Sequence, residues 1–141
     1  MLYATEAIFQ SLCYKIEEQM TKEHITEFWV GNYGDFDRLC ARAVRELQKK
    51  YPLIRLCLVI PYITFEMNGN KTTYENHYDE IIMAEIPLGT PKKLWILKCN
   101  EYMVEHSDFL IGYVQHNRGG AYQTLQYAKK KHKMLWNLAE K

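Results

Sequence analysis

Two short segments carry the residue types that could hold a phosphate-bearing ligand. The first, Gly31-Asn32-Tyr33-Gly34-Asp35-Phe36-Asp37, joins two glycines, which let the backbone turn sharply and approach a ligand, to a carboxylate able to accept hydrogen bonds from ribose hydroxyls. The second, His116-Asn117-Arg118-Gly119-Gly120, sets a glycine pair just before a predicted helix. There, unpaired backbone N–H groups at the positive end of the helix dipole favour an anion. Arg118 adds a planar fork matched to phosphate oxygens, and His116 or Asn117 could add donors. By spacing alone, each segment is equally a plain turn between a strand and a helix.

Other reactive side chains offer less. Asp35, Asp37, Asp79 and Glu85 could converge on a metal or form an acid–base pair, but Asp35 and Asp37 read as helix caps and the other two as solvated loop residues. The five histidines lack HxxxH or HExxH spacing, and Cys13, Cys40, Cys57 and Cys99 form no CxxC pair and lie in apolar-patterned segments. Reduced core thiols, no metal and no cofactor are therefore expected. Ser107 beside Asp108 has no histidine arranged as a general base. Tyr74 and Tyr78, with Trp95 and Tyr102, could close over a base by stacking, although ordinary aromatic packing explains them as well.

The elements that must position these loops follow from the hydrophobic pattern. Ile8, Phe9, Leu12, Ile16 and Met20 recur at a helical period over residues 5–20, and ITEFWVG at 25–31 reads as a strand. A helix opening at Asp35 or Asp37 buries Leu39, Ala43, Val44 and Leu47 and stops at Tyr51-Pro52. IRLCLVI at 54–60 is an apolar run of strand length, as expected of a parallel strand covered on both faces. Residues 65–90 show no clear period and read as a long excursion with at most a short helical turn. Thr90-Pro91 opens a helix running to about residue 106, FLIGYV at 109–114 is a strand, 121–132 a helix, and 134–138 the last strand. Such alternation predicts an α/β, Rossmann-like three-layer sandwich, with all four strands parallel in one sheet and helices on both faces. A single domain spans 1–141.

Composition bounds the partners. A formal charge of +1 argues against whole-molecule attraction to nucleic acid or anionic membrane, and KKKHK at 129–133 reads as the solvated last turn of a helix. No apolar stretch approaches the roughly 20 residues that span a bilayer, and no export signal is legible. The expectation is a cytoplasmic protein with a small-molecule partner, free to form a homo-oligomer.

Taken jointly, Gly31, Gly34 and Asp37 followed by an alanine-bearing helix, with SDFLIGYV and GGAYQTLQYAKKK, resemble the SLOG superfamily of Rossmann-like domains. That superfamily includes the DNA-processing protein of natural transformation and the Lonely Guy cytokinin-activating enzymes. FWVGNYGDFDRL, YDEIIM and CNEYMVEHSDFLIGYV are further similar to a group of uncharacterised bacterial proteins, common in Firmicutes, that carry this domain alone. The resemblance covers roughly residues 26–138. It implies a ligand site at the carboxyl ends of the strands: Arg118, Gly119 and Gly120 on phosphate; Gly31, Asn32, Tyr33, Gly34 and Asp37 on ribose and base; Asn100, His116, Asn117 and Thr124 completing the lining.

Three departures from the family pattern shape the expectation. A first strand ending in a Gly-His-Arg turn is missing or reduced, so that strands 25–31 and 109–114 are expected to pair directly. Cys99 stands where relatives carry a basic residue before Asn100. The glycine-pair helix lacks the family's catalytic glutamate: Gln126 and its neighbours offer no carboxylate, and no Asp or Glu occurs from 109 to 139. N-glycosidic cleavage needs a carboxylate to stabilise an oxocarbenium-like centre or to activate water. The expected function is therefore non-catalytic binding of a nucleotide or nucleotide-derived signal, as a sensor or sequestering protein. The alternatives are a nucleoside or nucleotide N-glycoside hydrolase drawing its carboxylate from Asp35, Asp37 or the long loop, and a ligand-free protein-interaction subunit.

Overall fold

A computed structural model of the chain describes residues 2–139. Their contacts divide them into two compact units, residues 2–58 with Ile63–Ile82, and Val59–Tyr62 with residues 83–139.

The first unit is built on the apolar stripe of α1 (Leu2–Glu23), whose Phe9, Leu12, Ile16 and Met20 are buried. This stripe packs against α2 (Asp35–Gln48), which buries Ala41, Ala43, Val44 and Leu47, and the Arg42 guanidinium lies 4.2 Å over the Phe9 ring. Glu17 accepts from the Tyr51 hydroxyl at 2.8 Å and pairs with Lys50 at 3.2 Å, fixing α1 to the turn after α2. Those two donors hold the Glu17 carboxyl below its ordinary range.

Beneath the helices, β1 (Glu27–Val30) runs parallel to β2 (Arg55–Ile60), in a register from Glu27 opposite Arg55 to Val30 opposite Leu58. β3 (Glu80–Met83) flanks β2 on the other side, giving the order β1-β2-β3. Asp79 N donates to Leu56 O at 2.8 Å and Ala84 N to Ile60 O at 2.9 Å, so both chains advance in the same direction. Between β2 and β3 lie α3 (Phe65–Gly69), capped by the Thr64 hydroxyl on Met67 N at 3.1 Å, and α4 (Lys71–His77).

In the second unit, a 3₁₀ turn (Lys92–Leu94) leads into α5 (Trp95–Glu105), which packs against α6 (Gly120–Lys130). Cys99, Val104, Leu125 and Ala128 are buried there. β4 (Phe109–Gly112) and β5 (Met134–Asn137) pair in parallel, with Phe109 and Trp136 in edge contact at 5.7 Å. Trp95 meets Tyr62 at 5.6 Å, and Tyr102 stacks on His106 at 4.1 Å, so both have packing roles within the unit. Lys129 and Lys130 occupy the last turn of α6, where cations complement the dipole. All four cysteines are free thiols. No helix among the described residues is long and apolar enough to cross a membrane.

The α/β class with parallel strands and surrounding helices is the Rossmann-like arrangement expected. Several finer expectations are corrected. The strands form a three-stranded and a two-stranded sheet instead of one, and β1 and β4 do not pair directly: β1 takes β2 and β4 takes β5. The excursion at 65–90 holds two helices and a strand. Pro91 opens a 3₁₀ turn and α5 starts only at Trp95; the Thr90 hydroxyl donates to Pro87 O at 2.6 Å and is not the N-cap of either helix. α1 already begins at Leu2, so no strand precedes it among the described residues, and Met1 lies outside them.

Asp79, read from sequence as a solvated loop residue, fastens the start of β3. One carboxylate oxygen accepts from Leu56 N at 2.7 Å and from the Gln48 amide at 2.8 Å, while Gln48 also donates to Ile54 O at 3.0 Å. Removing the carboxylate leaves Leu56 N and the Gln48 amide short of an acceptor. Asp79→Ala is expected to lower stability by about 1–2 kcal/mol in urea unfolding. Asp79→Asn, which keeps one acceptor oxygen, should lose less; equal losses would refute the acceptor role.

Candidate functional site

The loop after β1 is shaped by Asp37. The N-cap of α2 is Gly34, with no side-chain cap, which corrects the expectation that Asp35 or Asp37 fills that position. Asp37 sits in the first helical turn and reaches back over it, its carboxylate accepting from Tyr33 N at 3.2 Å and from the Gly31 backbone. A Cβ at Gly31 would lie 3.1 Å from Asp37 Oδ2, so a side chain here would press on the carboxylate that braces the loop. Gly34, at φ −168°, is extended backbone with open space where its Cβ would be. Burial pushes the Asp37 carboxyl up, against the two backbone donors and Arg38, which pull it down.

Beside this loop stand residues of α3 and α4. The Asn32 amide donates to the Tyr74 hydroxyl at 3.5 Å, which in turn donates to Glu66 at 3.5 Å. Arg45 of α2 donates to His77 O at 3.4 Å and ties down the end of α4. Tyr78 is half-buried, and burial pushes its phenol up. The Tyr33 side chain is 42% exposed. The structure thus brings Gly31, Asn32, Tyr33 and Asp37 together with Tyr74, and adds Glu66, which sequence reasoning missed because α3 carries no helical apolar stripe.

In the second unit, Gly119 has φ +95°, a conformation that favours glycine, and turns the chain into α6. No side chain caps α6. Its ladder starts with Gln123 N on Gly119 O at 3.0 Å, leaving the N–H groups of Gly120, Ala121 and Tyr122 with no acceptor among the described residues. His116, Asn117 and Arg118 are exposed, and none of their side chains has a hydrogen-bond or ion-pair partner among the described residues. Thr124 donates to Gly120 O at 2.9 Å within its own helix. Asn100 is half-buried on α5, and Cys99 beside it is a core residue with its sulfur 3.9 Å from Val59 O.

A residue that sequence reasoning passed over, Asn137, sets the start of this second loop. Its amide oxygen accepts from Val114 N and its nitrogen donates to Val114 O, both at 2.9 Å, while Leu138 N donates to Gly112 O at 2.8 Å. The side chain prolongs the β4–β5 ladder by one rung. A polar residue in the middle of the apolar MLWNL run was the available signal.

Two clusters bear on metal binding and catalysis. Glu27, Cys57 and Glu80 lie within 4.8 Å of one another on adjacent strands of the first unit. Glu27 is already bonded to the Trp29 indole at 2.7 Å and to the Cys57 thiol at 3.5 Å, and Glu80 pairs with Arg55 at 2.9 Å. Burial and the Glu27 carboxylate raise the thiol to about 12, which keeps it protonated at neutral pH. On α6, Gln123, Gln126, Tyr127 and Lys130 line a shallow groove of about 320 Å³ with Leu97 and Glu101. Glu101, its one carboxylate, is paired with Lys98 at 3.1 Å.

Comparison with known proteins matches the chain itself to a family. A family model described as YpsA, the YspA SLOG family, matches residues 3–138. The chain is also similar, at 29% identity over 140 residues, to an uncharacterised SPbeta prophage-derived protein of Bacillus subtilis strain 168, YoqJ, covering 87% of this chain and 82% of that protein.

The raised Asp37 carboxyl makes a pH prediction. The folded state binds this proton more tightly than the unfolded chain, so stability falls as pH rises through the window between the ordinary carboxylate value and the raised one. Other carboxylates titrate alike in wild type and Asp37→Asn, so their difference isolates this group. Wild type should gain stability relative to Asp37→Asn as pH falls from about 7.5 to about 4. A difference in thermal unfolding that is constant with pH, or that grows in the opposite sense, would contradict the buried-carboxylate account.

Proposed function

The chain belongs to the YpsA SLOG family, and from that membership we propose that it binds a nucleotide or nucleotide-derived signal ligand without turning it over, as a cytoplasmic sensor or sequestering protein. The observation that carries this reading is the turn into α6. Three N–H groups without acceptors, a left-handed Gly119 and an unpaired Arg118 gather hydrogen-bond donors and positive charge at one exposed point. A phosphate supplies the acceptors that this turn lacks.

Within its own unit, the loop at 31–37 carries groups of a kind that nucleotide ligands use. Asn32, Tyr33 and the open space at Gly34 offer an amide, a ring and room for close approach, as a ribose and base require. Asp37 is then a positioning residue, since its carboxylate holds the loop. Among the carboxylates this alternative could use, Asp37 is engaged by backbone donors and Asp35 pairs with Arg38 at 3.1 Å, while 109–139 contains no carboxylate.

Calorimetry with AMP, GMP, CMP, UMP and inorganic phosphate tests the proposal. Arg118→Ala is expected to weaken binding of the nucleotides by about 10- to 150-fold, the scale of a lost charge-assisted bond, with thermal unfolding unchanged. Unaltered affinity would place the anion site elsewhere. Chromatography of the same mixtures should show no free base, and release of base at enzyme-like rates would favour the hydrolase.

A further inference from the structure

We infer that Asn137 is a positioning residue for the turn into α6: by holding Val114 it sets where the chain enters residues 115–118, and so pre-places Arg118 for a phosphate. This rests on the phosphate reading of that turn given above and adds a residue that acts on it through the backbone. Asn137, Val114 and the turn all belong to the second unit.

The β4–β5 ladder ends at the pair Gly112 and Asn137, with Leu138 N on Gly112 O as its last backbone bond. Val114 lies past that end, yet both of its peptide groups are met by one side chain. Asn137 Oδ1 accepts from Val114 N and Nδ2 donates to Val114 O, both at 2.9 Å. The same Oδ1 accepts from Ala139 N at 3.1 Å, which fastens the amide to its own chain. The amide thus stands in for the peptide unit that a longer strand would have offered, and only a side chain with both a donor and an acceptor can do so.

Beyond Val114, the next fixed point is the start of α6, where Gly119 at φ +95° and the bond from Gln123 N to Gly119 O set the first turn. Residues 115–118 span the two points and are exposed, and the side chains of His116, Asn117 and Arg118 have no partner among the described residues. The span is therefore ordered from its ends. Releasing Val114 moves the nearer anchor back to Gly112, and a phosphate would then have to order a longer span as it binds.

Calorimetry with inorganic phosphate and AMP on the full chain tests the inference. Asn137→Asp keeps the size of the side chain and the acceptor for Val114 N, but turns a second acceptor towards Val114 O. It is expected to weaken both probes about five- to thirtyfold, the scale of one residue's backbone freedom. With isotope-labelled glycine, the amide resonances of Gly119 and Gly120 at saturating phosphate should coincide in wild type and variant, because the filled turn is the same. Gln115→Gly loosens the span at an exposed position whose side chain reaches the Tyr113 hydroxyl at 3.1 Å, and leaves Asn137 untouched. It should weaken both probes about two- to fivefold, and it decides the matter if Asn137→Asp does not fold. Unchanged affinity in a folded Asn137→Asp or in Gln115→Gly, or saturated glycine resonances that differ from wild type, would overturn this inference while leaving phosphate binding intact. Binding of neither probe by wild type would overturn the phosphate reading and this inference with it.

Discussion

A strand with no solvent on either face can satisfy its peptide groups only within the plane of its sheet, and β2 is such a strand. From Leu56 to Ile60 every residue is buried, four of them with no exposed surface at all. Each unpaired peptide group there would cost about 1–3 kcal/mol, so β2 requires a neighbour on both edges. β1 supplies one, in register, and its end at Val30 delivers the chain into the glycine loop. β3 supplies the other, and the chain that must return to reach it carries α3 and α4 on the way. Asp79 and Gln48 complete the arrangement where β3 begins, using side-chain groups on the peptide edge of β2.

That same constraint explains what could be read from sequence. IRLCLVI and the stripe of α1 are long apolar signals with one periodicity each, and burial is the force that created them. β3 is different. It is four residues long, exposed at both ends and half-buried between, so its existence depends on the edge of β2 rather than on its own EIIM sequence. α4 buries no residue, and KTTYENH has no apolar face; the helix is held by its ends, through Arg45 and the preceding α3. Local pattern contains no record of such a tertiary hold.

The two glycine loops were legible for the same reason: glycine is visible in a sequence wherever backbone geometry excludes a side chain. The reasons differ between them. Gly31 makes room for the Asp37 carboxylate, whereas Gly119 adopts a positive φ. What could not be read was the direction in which the polar side chains turn. Asp37 looks like a cap in one dimension and braces its own loop in three. Asn137 looks like an interruption of a strand and instead extends the ladder with its amide. Hydrogen-bond partners distant in sequence decide such cases, and spacing does not encode them.

The distribution of charge narrows what the α6 turn could recognise. With a formal charge of +1, the molecule has little long-range field to attract a polyanion, and polynucleotide affinity grows with the number of phosphates neutralised by cations. The lysines at 129, 130, 131 and 133 lie around the carboxyl end of α6, a full helix away from Arg118 and Gly119 at its start. At the start of the helix the donors are instead backbone N–H groups and a single guanidinium. A set of this kind matches one phosphate better than a run of them. The electrostatics of the turn therefore suit a discrete small anion over a nucleic-acid strand.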